Sequence, residues 1–146
     1  MSTMTAYASL FIAAFAAATL FPAQSEAVLL ALVSSREYPL HTLVVIASIG
    51  NVLGSVLNWW LGLYAQRFRD RKWFPVSEAA LLRAQAHYAR YGRWSLLLSW
   101  VPFIGDPITL AAGIMRERLL PFLILVGIAK TGRYVALVYL YLQAAN

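Results

Sequence analysis

The chain has no cysteine, few acidic residues and little charge of either sign, and each shortage excludes a class of protein. Without cysteine there is no disulfide, no thiol nucleophile and no thiolate metal site. His41 and His87 are the only histidines and have no partner at ligand spacing, so no metal site is expected. No nucleophile stands beside a base and no strand leads into a phosphate-cradling glycine loop. An enzyme is therefore not expected, and neither is a cofactor. Only 12% of residues are charged, whereas 61% are hydrophobic, and mean hydropathy is +0.65. A soluble domain carries charge on about a quarter of its residues. The deficit implies a surface that faces lipid.

At 146 residues the chain is one membrane domain. Its 12 Lys and Arg outnumber 6 Asp and Glu, but no basic stripe alternates with exposed aromatics, so nucleic acid is not an expected partner. Seven of the cations crowd between Arg67 and Arg93. The positive-inside rule accounts for them and places this connection on the cytoplasmic side. Phe68, Trp73, Phe74 and Trp94 suit the aromatic belt beside it. The domain then divides into a first half, 1–66, a basic connection, 67–93, and a second half, 94–146. Within the connection Ser77 is placed to cap a short helix. Leu81, Ala84, Tyr88 and Tyr91 fall on one side of it and Arg83, His87 and Arg90 on another, the pattern of an amphipathic helix lying in the interface.

Four apolar stretches, 7–33, 40–65, 94–115 and 119–142, each meet the ~20 residues a spanning helix needs. The N-terminal one lacks the charged start and cleavage site of a secretory signal and reads as retained. The second and fourth run unbroken. The first is interrupted by Phe21-Pro22-Ala23-Gln24-Ser25-Glu26, and the third by Val101-Pro102-Phe103-Ile104-Gly105-Asp106-Pro107. Each break joins proline to an acid, and backbone that leaves the helix at membrane depth must be shielded by protein or line a wet cavity. Paired half-helices, re-entrant or spanning, are thus expected in place of straight rods. The spacing also repeats: Pro22 to Glu26 and Pro102 to Asp106 are both four residues, and Pro22 to Asn51 is 29 against 28 from Pro102 to Lys130. Such internal repeats are common in transporter folds.

Glu26 and Asp106 are the acids deep in apolar sequence; Lys130 and Arg133 are bases near the middle of the last stretch. An ionisable group there is costly unless paired, hydrated or neutral, and functional by default. The plainer reading of the acids is a cap on the half-helix after each proline, and that of all four a neutral core network. The sharper reading is a site where the cations receive an anionic headgroup at depth. Gly50, Gly54, Asn58 and Gly62 recur every four residues with Asn51 beside them, forming a face that admits another backbone closely. Asn51 and Asn58 are also suited to bond the half-helix ends at the breaks. Arg116, Glu117 and Arg118 flank a short turn and carry no assigned chemistry.

The run from Tyr91 through Trp100-Val101-Pro102-Phe103-Ile104-Gly105-Asp106 to Ala111-Ala112-Gly113-Ile114-Met115-Arg116 resembles the second conserved block of the DedA (VTT, SNARE-associated) superfamily, nearest its short YqaA-like branch. Phe21 to Glu26, Gly50 to Gly54 and Gly127 to Ala136 agree with it in order and spacing. The better-studied branch has arginines at the positions of Ser99 and Gly105 and a further acid before the first break. The resemblance implies an all-α polytopic protein of the bacterial inner membrane, with two opposed re-entrant hairpins cradled by transmembrane helices. Pro22, Ser25, Pro102, Gly105 and Pro107 would mark the hairpin tips. It further implies movement or scrambling of phospholipids or polyprenyl phosphates, so membrane lipids are the expected partners, with self-association left open. On that reading Lys130 and Arg133 attract the phosphate while Glu26 and Asp106 tune it. A proton- or ion-coupled small-solute transporter and a non-transporting assembly factor are the competing expectations.

Overall fold

The computed structural model describes residues 2–17, 22–64, 77–101 and 104–145, and of 22–24 the backbone only. The described residues are helical, with no strand among them: α1 (Thr3–Ala17), α2 (Pro22–Ser35), α3 (Leu40–Leu63), α4 (Glu78–Tyr91), a 3-10 helix (Gly92–Leu98), α5 (Gly105–Ile114) and α6 (Leu119–Ala145). The arginines and Lys72 of 67–72, the aromatics Phe68, Trp73 and Phe74, and Pro102 lie outside the described residues.

Local chemistry sets most of these boundaries. Ser2 accepts from the Thr5 amide at 3.1 Å and opens the alanine-rich α1. Ser77 accepts from the Ala80 amide at 3.2 Å and caps α4, as its position implies. Glu78 in the first turn and Arg90 in the last complement the dipole of that helix. Gly92, at φ +65°, ends it. Pro107 is tolerated within α5 because it sits in the first turn, where its missing N–H has no partner to lose. Both α2 and α5 stop where an arginine turns left-handed, Arg36 at φ 59° and Arg116 at φ 60°. At Arg116 the Glu117 amide bonds the Ala112 carbonyl (2.9 Å) and the Arg116 amide the Gly113 carbonyl (3.0 Å), a Schellman closure with arginine in place of glycine.

Two helices, α3 and α6, are long and apolar enough to cross a membrane. At 1.5 Å per residue they reach about 36 and 40 Å, more than the ~30 Å hydrocarbon layer. Their outward faces are apolar: Val45, Ile49, Leu53 and Trp60 on α3, and Leu120, Ile124, Ile128, Val135 and Tyr139 on α6 are all exposed. Exposed apolar stripes of this extent belong against lipid.

Both long helices serve two cores. One gathers Leu10, Leu29, Leu43, Ala47, Tyr134 and Val138, from α1, α2, the first half of α3 and the second half of α6. The other gathers Tyr88, Leu96, Ile108, Phe122 and Val126, with Trp59 of α3 against it. The glycine face of α3 is divided between them. A Cβ on Gly50 would come within 2.7 Å of the Phe11 carbonyl oxygen in α1, and one on Gly62 would strike Leu110 in α5 and the Gly113 Cα at 2.9 Å. The face seen in the sequence is therefore occupied by the chain's own helices.

Two details differ from the sequence reading. The segment before the second break is a 3-10 helix and not an α-helical half; at about 2.0 Å per residue it still gains some 14 Å of length. Tyr91 leaves the buried side of α4: Leu81, Ala84 and Tyr88 are buried, while Tyr91 is exposed and stacks on His87 at 4.6 Å between ring centres.

Candidate functional site

The N-terminal parts of α2 and α5 bring polar residues against the long helices. Ser25 and Glu26, early in α2, face Tyr134 and Arg133 of α6. The Arg133 guanidinium pairs directly with the Glu26 carboxylate, with the two side chains 19% and 29% exposed. The Tyr134 hydroxyl donates to Ser25 Oγ at 2.9 Å. Two consecutive residues on each helix thus make two adjacent bonds, one ionic and one neutral, which fixes the register of α2 on α6. Glu26 lies beyond the first turn of its helix, so the ion pair and not a capping role holds it.

Asp106, by contrast, does lie in the first turn of α5. Lys130, three residues before Arg133, is only 3% exposed and makes no hydrogen bond or ion pair with any described residue. Asp106 is the acid whose charge acts on it, with no ion pair between the two. Of the four embedded charges, one pair is closed and the other stands open. A buried ammonium in this state is costly, and an anion that joins it offsets that cost.

On α3, Asn51 Nδ2 donates to the Ala14 carbonyl at 2.8 Å. That carbonyl is among the last four of α1, which have no partner within the helix. Ser55 Oγ bonds the Asn51 carbonyl at 3.2 Å. Asn58 Nδ2 reaches Thr109 Oγ1 at 3.3 Å, and Thr109 in turn donates to the Asp106 carbonyl at 2.9 Å, so Asn58 touches the start of α5 through a hydroxyl. Gly54 is buried on the same face. Pro22 is the first residue of α2, and its side chain lies outside the described residues; Pro107 is buried in α5. Gly105 opens α5 so close to the Ser99 carbonyl that any Cβ would collide with it. The Ser99 hydroxyl is buried without a hydrogen-bond partner.

The residue that sequence reasoning passed over is Glu117. Its carboxylate accepts from the Tyr88 hydroxyl at 2.5 Å and pairs with Arg93 at 3.3 Å, while its carbonyl accepts from Trp59 Nε1 at 2.9 Å. One residue at the α5–α6 turn thereby ties down α4, the 3-10 helix and α3. Burial first, and then the bond to Glu117, hold the Tyr88 phenol above its ordinary titration range, so it remains a donor. An acid between two arginines in a turn gives no sequence signal of such a role.

The comparisons with known proteins agree with this architecture. The family model described as the VTT domain matches residues 4–143. The chain is 37% identical over 136 residues to "Inner membrane protein YqaA" of Escherichia coli (strain K12), covering 93% of this chain and 91% of that protein. The Shigella flexneri protein of the same name matches equally. An uncharacterized protein of Haemophilus influenzae is 32% identical over 138 residues, covering 90% of this chain and 84% of its own length. No solved structure matches.

Proposed function

Because this chain belongs to the VTT domain (DedA) family, we propose that it moves lipid headgroups across the bacterial inner membrane, a location supported by the names of its relatives. In this reading α1 with α2, and the 3-10 helix with α5, are opposed re-entrant hairpins. Their arms support this: α1 and α2 measure about 22 and 21 Å, too short to cross a ~30 Å hydrocarbon layer singly.

The observation that carries the proposal is Lys130, buried in a membrane helix, attracted by Asp106 and bonded to nothing described. A phosphate passing between the hairpins supplies the missing anion, and the charge-assisted bond it gains offsets part of its own dehydration. Arg133, held by Glu26, stands one turn further along the same route. The Glu26–Arg133 pair opens and recloses as the phosphate passes. No covalent step is included.

The test is headgroup movement in liposomes holding purified protein, read by chemical quenching of fluorescent lipid in the outer leaflet. Lys130→Met and Arg133→Met should each abolish protein-dependent movement. A monodisperse, folded variant of either kind that moves lipid at the unmodified rate would refute the assignment.

A further inference from the structure

A cavity of about 610 Å³ lies between α4 and the second broken segment. One wall is α4, through Ala80, Arg83, Ala84 and His87; Leu98 and Ile108 belong to the other. A smaller cavity of about 330 Å³ shares His87 and Leu98 and runs on to Trp94. Among the described residues the lining of the larger cavity is apolar apart from Arg83 and His87, and none of them is an acid. None of these residues belongs to the charged site on α6.

Arg83 and His87 are four residues apart and so stand one above the other on α4. Arg83 is exposed and has no ion-pair partner among the described residues. The His87 ring is oriented by a 3.0 Å bond between Nδ1 and Ser95 Oγ, which leaves its other nitrogen directed away from that bond. Ile104 of the larger cavity and Trp94 of the smaller are exposed apolar side chains, unsuited to water and suited to the headgroup boundary of a bilayer. The volume falls within the range of small-molecule sites, ~300–1,000 Å³. Two basic groups above an apolar slot match an amphiphile whose anionic head remains at the interface while its tail enters. A water-soluble anion would leave the apolar walls bare.

We propose that this groove binds one anionic phospholipid, with the phosphate on Arg83 and His87 and an acyl chain between α4 and α5. The site holds its lipid at the surface and does not depend on movement between leaflets, so it stands apart from the translocation reading.

The experiment uses the full chain in phosphatidylcholine nanodiscs doped with a phosphatidylglycerol that carries a photoactivatable diazirine in its acyl chain. Adducts are mapped by mass spectrometry. Labelling should concentrate on the peptides containing Leu98 and Ile108. Arg83→Gln should lower it about fivefold, the loss of one cation's attraction for an anionic headgroup, and His87→Gln should lower it through loss of the ring nitrogen as a hydrogen-bonding group for the phosphate. Ala80→Trp, which fills the slot without touching the charges, should lower it as well. The same diazirine on phosphatidylcholine should label weakly and be indifferent to the charge substitutions. Equal labelling by the two lipids, labelling undiminished in all three variants, or no adduct on these peptides, as when protein fills the groove, would each overturn the proposal. Labelling requires no flip, so its failure and a failure of translocation are separately visible.

Discussion

The bond between Glu26 and Arg133 allows a double-mutant cycle whose size follows from its setting. Two unit charges about 4 Å apart attract by ~4 kcal/mol at the effective dielectric of a partly buried site. The side chains are 29% and 19% exposed, so water still reaches them and part of that attraction offsets their dehydration. A coupling of about 2 kcal/mol remains, or roughly thirtyfold in an equilibrium constant. Glu26→Gln alone should cost more than this coupling, because it leaves the Arg133 guanidinium without its anion among apolar side chains. Adding Arg133→Gln should recover part of the loss. The assay is denaturant unfolding in mixed micelles, followed by tryptophan fluorescence, for the unmodified chain, both single variants and the double. If the two substitutions add to within ~0.5 kcal/mol, the groups are not coupled and the account of α2 docked on α6 is wrong.

Three further outcomes follow from the packing. Gly62→Ala and Gly113→Ala should each destabilise by about 1–3 kcal/mol, since a Cβ at either meets backbone of the facing helix, whereas Gly127→Ala meets nothing and should be neutral or stabilising by up to ~1 kcal/mol in the same titration. Tyr88→Phe should remove a charge-assisted bond of about 1.5–3 kcal/mol and raise amide hydrogen exchange across Glu78–Tyr91, and unchanged exchange would mean that Glu117 does not hold α4. Lys130→Met should raise the unfolding midpoint while it ends lipid movement, because it replaces an open buried charge with an apolar chain of similar length; a lower midpoint would mean that the ammonium has a partner in the folded chain.

The parts of this fold legible in the sequence are those governed by local rules. Pro22 marked the start of α2, where the sequence reading places a break across Phe21 to Glu26, Asp106-Pro107 marked the first turn of α5, and Ser77 marked the start of α4. The four-residue recurrence of Gly50, Gly54, Asn58 and Gly62 marked a close-packing face. Which neighbour fills that face is not local information: Gly50 meets α1 and Gly62 meets α5, elements on opposite sides in sequence. The 3-10 helix at Gly92–Leu98 was not legible either, because Trp94 to Leu98 is an ordinary apolar run and its tighter winding is set by packing against α4, α5 and α6. Glu117 was hidden for a related reason. Its partners Trp59, Tyr88 and Arg93 lie 58, 29 and 24 residues away, and no spacing rule connects them.

The repeat read from the prolines extends further in the structure, and its imperfection is informative. Each acid stands ten residues before a left-handed arginine, Glu26 before Arg36 and Asp106 before Arg116, and a long helix follows each. The halves then exchange partners. The arm α2 bonds α6, and the arm α5 packs on α3, so neither half completes its polar contacts alone. At matching offsets the long helices carry Asn51, 29 residues from Pro22, and Lys130, 28 from Pro102. Asn51 closes a helix end, and its amide is satisfied within the fold. Lys130 at the equivalent place is buried and bonded to no described residue. Had both positions served packing alone, a neutral amide would have sufficed twice. The departure from symmetry falls on one side chain, and it is the one to which the proposed function assigns the passing anion.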